Sequence, residues 1–164
     1  MQTRGVIFIH SAPSAVCPHV EWAIAGVLSN RPRLEWIPQP AQPGSYRTEV
    51  SWADEPGTGA KLASALRGWS HVRYEITEDP AGTAEGSRYA YTPELGIYHA
   101  VTGPHGDVMV PEERLKAAVV SSMLGEASLQ DEVYKLLGTA WDDELEVFRS
   151  AGEGASVRWL HRVG

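Results

Sequence analysis

The residues Gly5 to His10 (GVIFIH) form an uninterrupted β-branched and aromatic run closed by turn residues. That is the pattern of a central strand covered on both faces. From Val16 the spacing changes: apolar residues fall at Val16, Val20, Ala23, Ile24, Val27 and Leu28, a helical stripe that Asn30, Arg31 and Pro32 end. Leu34 to Ile37 (LEWI) reads as a short strand pushed to the sheet edge by Pro38, Pro40 and Pro43. Tyr46, Thr48, Val50 and Trp52 alternate with Arg47, Glu49 and Ser51, a half-buried strand of period two. After the loop ADEPGTG a second helix is predicted, with Thr58 as N-cap and Leu62, Ala63, Leu66 and Trp69 turned inward. Val72, Tyr74 and Ile76, alternating with Arg73, Glu75 and Thr77, predict a further strand.

Residues 1–80 therefore read β-α-β-β-α-β, the order of a ferredoxin-like unit with both helices on one face of an antiparallel sheet. Such a unit leaves its other face bare, yet the first strand is apolar on both sides. Residues 81–164 are thus expected to cover it. Glu78 to Ser87 reads as a flexible acidic connector, followed by strands at Arg88–Thr92, Leu95–Val101 and Asp107–Val110. Pro111 opens a helix with Leu115, Ala118, Val119 and Met123 as its inner stripe, ended by Gly125. Ser128 and Asp131 resemble a capping box for a long helix whose stripe runs from Leu129 to Phe148, with Gly138 placed to break or bend it. Val157 to His161 predicts a terminal strand. The expected fold class is a single α+β domain over residues 1–164, a ferredoxin-like half whose second sheet face is covered by a C-terminal β-hairpin and two helices.

Composition narrows the function classes. Hydrophobic content of 43% and charged content of 21% over 164 residues suit one soluble globular core. A formal net charge of -7 argues against a general nucleic-acid binder, and the cluster Arg158, His161, Arg162 is too short to reverse it. One cysteine excludes an internal disulfide framework and fits a reducing compartment. Met1 to Arg4 lead into no signal-peptide core, and no apolar run approaches the roughly 20 residues of a membrane span. A cytoplasmic protein with no membrane or nucleic-acid partner is expected.

The candidate chemistry gathers at the first strand-to-helix corner. Whether Ser14 or Cys17 is the N-cap, the Cys17 thiol sits near the positive end of a helix, which favours a thiolate. The competing reading is a small buried hydrophobe. His19 lies two residues on and so points away from Cys17 on a helix, which leaves His10 or His99 as a base. Cys17, His10 and His19 are the candidate catalytic set. Ligand spacing for a metal is absent, and no cofactor motif is present. Gly57 to Lys61 precedes a helix, so Thr58 and Gly59 are candidate anion-binding residues, against the alternative of a glycine-rich turn with a cap. Trp22 falls off its helix's main stripe and is a candidate anchor for a partner or second copy. Asp142, Asp143, Glu144 and Glu146 are expected to form the solvated face of the last helix.

The stretches AVCPHVEWA (15–23), GTGAKLASALRGW (57–69), YEITEDP (74–80), GDVMV (106–110) and LGTAWDDELE (137–146) resemble the DUF3145 family, from about Val6 to Trp159. The resemblance implies an actinobacterial source and a loose link to fatty-acid synthesis; it implies no activity and no catalytic residue. The expected function is a non-catalytic binding or regulatory protein acting through a protein partner. The alternative is a small enzyme or metabolite-binding protein using the corner around Cys17, His10 and His19.

Overall fold

A computed structural model of the chain describes residues 1–151. Its elements are β1 (Thr3–Pro13), α1 (Cys17–Val27), β2 (Ile37–Pro38), β3 (Ser45–Asp54), α2 (Thr58–Leu66), β4 (Arg73–Glu78), β5 (Gly86–Thr92), β6 (Gly96–Thr102), β7 (Val108–Met109), α3 (Glu112–Met123), α4 (Leu129–Leu137) and α5 (Thr139–Ser150). The strands form one sheet in the order β2-β3-β1-β4-β5-β6-β7, with every pair antiparallel. Both halves of the chain thus contribute to a single seven-stranded sheet. The strand expected at Val157–His161 lies outside the described residues.

One sheet face carries the main core. Ile7 and Ile9 of β1 pair in register with Ile76 and Tyr74 of β4, so their side chains share a face. Onto it pack Val20, Ile24 and Leu28 from α1 and Leu62 and Leu66 from α2. Burying each such side chain contributes roughly 1.5–3 kcal/mol. The opposite face carries α5, which lies across β1 and β5; its Leu145 is buried among Ala90, Tyr98 and Ala100. This is why β1 is apolar on both sides.

The structure departs from the expected cover in three ways. The hairpin β5–β6 does not lie across the sheet; it continues it, since β5 pairs along β4 from Glu78–Ser87 to Tyr74–Tyr91. The last helical stretch is two helices, because Gly138 adopts φ +73, ending α4 and starting α5, and three helices follow β7 in place of two. Finally, α3 buries only Ala118 of its expected inner stripe. Leu115, Val119 and Met123 are exposed.

Local signals otherwise act as their chemistry dictates. Ser128 Oγ accepts the Asp131 N–H at 3.1 Å, capping α4. The N-cap of α2 is Gly57, at φ +94, and not Thr58, whose hydroxyl donates to the Glu55 carbonyl at 2.8 Å. The LEWI segment pairs only at its end, through Ile37–Pro38, because Pro38 and Pro40 supply no N–H to a ladder.

Gly138 is held by two constraints: its left-handed backbone and a Tyr98 ring that an added Cβ would meet at 2.7 Å. Gly138→Ala is expected to cost about 1–2 kcal/mol from the backbone alone and more from displacing Tyr98. Gly26, inside α1 with nothing within 4 Å of an added Cβ, behaves oppositely. Gly26→Ala is expected to stabilise by about 0.5–1 kcal/mol. Urea unfolding midpoints of the two variants should move in opposite directions.

Candidate functional site

A bulge in β1 sets the first site. The register with β3 shifts between Ile9 and Ala12 and that with β4 between Ile9 and Ser11, placing an extra residue at His10–Ser11. His10 turns to the α5 face, where its ring stacks on Phe8 at 5.8 Å and its Nε2 lies 3.4 Å from Glu75 Oε1. Ser11 follows, its hydroxyl accepting from Arg73 Nη1 at 3.3 Å. Gln39 pins the bulge: its Nε2 donates to the His10 carbonyl at 2.7 Å and to the Phe148 carbonyl of α5 at 3.2 Å.

Around this bulge lies a layer of buried charge. Arg149 Nε donates to Glu75 Oε1 at 2.7 Å, and Arg149 Nη2 donates both to that oxygen and to Asp142 Oδ1, the latter at 3.0 Å. The side chains of Arg149 and Glu75 are only 1% and 0% exposed. Asp142 also accepts from Arg88, itself buried on β5. Arg73 lies over the Phe148 ring at 4.5 Å with its Nε 3.7 Å from Glu144, and Glu144 accepts from the Thr92 hydroxyl at 3.2 Å. Asp142 and Glu144, expected on a solvated face, therefore turn to the sheet.

Electrostatics explain why these charges persist without water. Burial alone would push the Glu75 carboxyl up, but His10, Arg149 and Arg88 outweigh it and hold the group at about 2. Burial likewise opposes the Arg149 charge, while Glu75 and Asp142 keep its proton affinity above the ordinary value. Glu75 Oε2 has no hydrogen-bond partner among the described residues, an omission costing about 1–3 kcal/mol. A carboxyl that stays ionised and meets no solvent is poorly suited to proton transfer, which needs a group titrating near the working pH. The layer acts as an anchor, fixing the register of α5 on the sheet.

The residues expected at the first corner do not converge. Cys17 is the first residue of α1, after Val16 as N-cap, and is 7% exposed. Its thiol donates to the Pro13 carbonyl at 3.4 Å. Burial pushes the thiol up, a nearby hydrogen bond from the backbone partly offsets this, and Glu21 adds to the rise. Beside it is a shallow cleft of about 260 Å³ lined by Cys17, Glu21, Trp36 and Tyr46. His19 instead stacks on Trp69 at 5.2 Å, and His10 is on the far face of the sheet. Trp22 stands in solvent, 77% exposed.

The helix start at Thr58 and Gly59 is taken by the chain itself. Glu78 Oε1 accepts the Gly57 N–H at 2.7 Å and Oε2 accepts the Gly59 N–H at 2.6 Å, so an internal carboxylate sits where an external anion would. Among the described residues no group of three or more His, Cys, Asp or Glu side chains is arranged to hold a metal. Nor is any described helix long and apolar enough to cross a membrane.

Sequence reasoning missed Glu75, Arg88 and Arg149. Arg88 and Glu75 sit at the polar positions of alternating strands and look solvated. The available signal was on α5, where Asp142, Leu145 and Arg149 share one helical stripe. Placed on an apolar stripe, two opposite charges imply a buried pair.

Fold and site together define a mixed α/β protein, a seven-stranded antiparallel sheet with helices on both faces and an ion network sealing one of them. The chain belongs to DUF3145, a family of proteins of unknown function whose model matches residues 6–162. No curated protein matches the chain, and no solved structure does.

The folded value of Glu75 lies below its unfolded value of about 4.3, so its contribution is complete above that pH and is lost as pH falls toward about 2. Glu75→Gln is expected to flatten this acid window and to cost about 3–5 kcal/mol at neutral pH by breaking the buried pair. Replacing both partners, Glu75→Leu with Arg149→Met, should recover much of that loss. Urea unfolding followed across acid and neutral pH measures both effects, and an unchanged acid slope in the single variant would sink the assignment. For Cys17, alkylation of the folded chain at mildly alkaline pH should run at least about ten-fold slower than in the unfolded chain. Rapid modification at neutral pH would instead reveal an accessible thiolate.

Proposed function

We propose that the protein is a non-catalytic binding or regulatory protein acting through a protein partner. The observation that carries this reading is the solvent face of the α3–α4 hairpin, where Met123 and Leu124 are 81% and 69% exposed and Val120, Leu129 and Tyr134 are exposed beside them. Contiguous apolar surface of this kind is costly to leave in water and marks interaction sites. The turn between the helices carries Glu126, and the first turn of α4 carries Asp131 and Glu132. A second copy would bring these like charges together, so the surface suits a different protein with a basic rim around an apolar contact. Trp22 offers a separate aromatic anchor on α1.

The finer readings belong with this proposal. We take residues 1–80 as a ferredoxin-like unit, supported by the order β2-β3-β1-β4 and by α1 and α2 packing on one face, within a single domain. A cytoplasmic location accords with the free, buried Cys17. The link to fatty-acid metabolism and an actinobacterial source rest on the family resemblance alone; stabilisation by acyl-CoAs in a thermal-shift screen would support the former. The corner enzyme reading has less support, since Cys17, His10 and His19 face three different environments.

The test compares the full chain with a Val120→Ser, Met123→Ser, Leu124→Ser variant. One defined complex that survives gel filtration, with affinity falling at least about ten-fold in the variant at an unchanged unfolding midpoint, is expected. Recovery of the wild-type chain only as itself, or equal binding by both, would overturn the reading.

A further inference from the structure

Strand β6 is only half covered on its outer side. Strand β7 pairs with it at Val101–Met109 and Thr102–Val108 and goes no further. Continuing that register would set Pro111 opposite His99, and proline has no N–H to give a ladder. The chain leaves the edge there and turns into α3. Gly103 N–H donates to the Asp107 carbonyl on the outer side, so by the alternation of an antiparallel strand the backbone groups of Val101, His99 and Ile97 also point outward. Among the described residues, none bonds the outward N–H and C=O of Ile97 or His99.

A groove of about 640 Å³ runs along this edge, between β6 and the inner sides of α3 and α4. That is within the usual range for a ligand site, about 300–1,000 Å³. Ile97, Ala118 and Leu136 give it apolar wall, and two cations, Arg114 and Lys135, with one acid, Glu132, also line it. Neither Arg114 nor Lys135 is ion-paired among the described residues, in contrast to Lys116, which meets Glu112 at 3.1 Å. Burial and the charge of Arg114 both lower the proton affinity of His99, so its imidazole adds a neutral ring to the floor.

We propose that the open edge of β6 at Ile97–His99 takes an extended peptide segment of a partner as an added strand, with an acidic side chain of that segment meeting Arg114 and Lys135. Open edge groups specify an extended backbone by its N–H and C=O pattern, and the alternate side chains of such a strand enter pockets on either side. The groove supplies both, an apolar wall for one side chain and paired cations for its charged neighbour. The inference rests on the partner-binding reading above but uses a different surface from the α3–α4 solvent face.

The test selects binders to the full chain from a random dodecapeptide display library. Enriched peptides are expected to carry an acidic residue among β-branched ones and, when bound, to protect the Ile97 and His99 amides from hydrogen exchange. His99→Pro removes the outward N–H together with the imidazole that stacks on Tyr89 at 4.5 Å, and should weaken these peptides at least ten-fold when binding is read well below its melting temperature, whereas His99→Ala, which also loses the ring but keeps the N–H, should retain binding. Arg114→Glu should also weaken them. The proposal is overturned if no peptide is enriched, if enriched peptides bind His99→Pro as well as wild type, or if sedimentation shows a homodimer that His99→Pro dissociates. Loss of the natural partner in the Met123 and Leu124 variant but not in His99→Pro would overturn this inference alone and leave the partner-binding reading standing.

Discussion

Between the sheet and α5, one carboxylate and one guanidinium share a volume from which water is excluded. Neither Glu75 nor Arg149 tolerates isolation there, because an unpaired charge in a medium of low polarity costs several kcal/mol. Each therefore requires the other, and the requirement is geometric. Arg149 reaches Glu75 only with α5 lying across β1 and β5, and Asp142 reaches Arg88 only at the matching turn of the same helix. An apolar α5 could slide along the sheet at modest cost. A charged one has a single register. The bulge at His10–Ser11, the Gln39 bridge and the Arg73–Phe148 contact all gather around that register.

The placement of α5 determines what remains exposed. Gly138 turns the chain sharply, with Trp141 Nε1 donating to the Gly96 carbonyl at 2.9 Å and Tyr98 OH donating to the Leu136 carbonyl at 2.7 Å. These bonds tie the corner between α4 and α5 to β6. The hairpin of α3 and α4 is then held beside the sheet edge and not on its face. Its apolar residues find no sheet to pack against and stay outward, while its inner side encloses the open half of β6. Both surfaces proposed for binding thus follow from one packing decision made some distance away.

Much of the frame was legible from periodicity. The period-two runs at Tyr46–Trp52 and Val72–Thr77 and the helical stripe from Val16 to Leu28 coincide with β3, β4 and α1, since apolar residues recur on one side of each and leave a plain trace. The double-sided apolarity of Gly5–His10 correctly required a cover on both faces. The stripe of Leu115, Val119 and Met123 misled because periodicity shows which residues share a side, not what that side meets. Arg88 and Glu75 were unreadable for the converse reason: a polar residue on an alternating strand looks the same whether it faces water or a matching charge. At the first corner, Cys17 and His19 were separable on helix geometry, and the alternation of β1 puts His10 with Phe8 on the face opposite Ile7 and Ile9, away from that corner.

What the sequence determined by itself is local: where most helices and strands fall, that Pro111 opens a helix and Gly138 breaks or bends one, and that β1 is central. These follow from side-chain spacing and backbone chemistry within a few residues. What only the tertiary structure decided is pairing across the chain. The joining of the hairpin to β4, the meeting of Glu75 with Arg149 across 74 positions, and the filling of the α2 start by Glu78 each unite groups whose partners lie far away in sequence. Charges and strand edges are satisfied by whatever the fold brings near, and that is a property of the packed molecule.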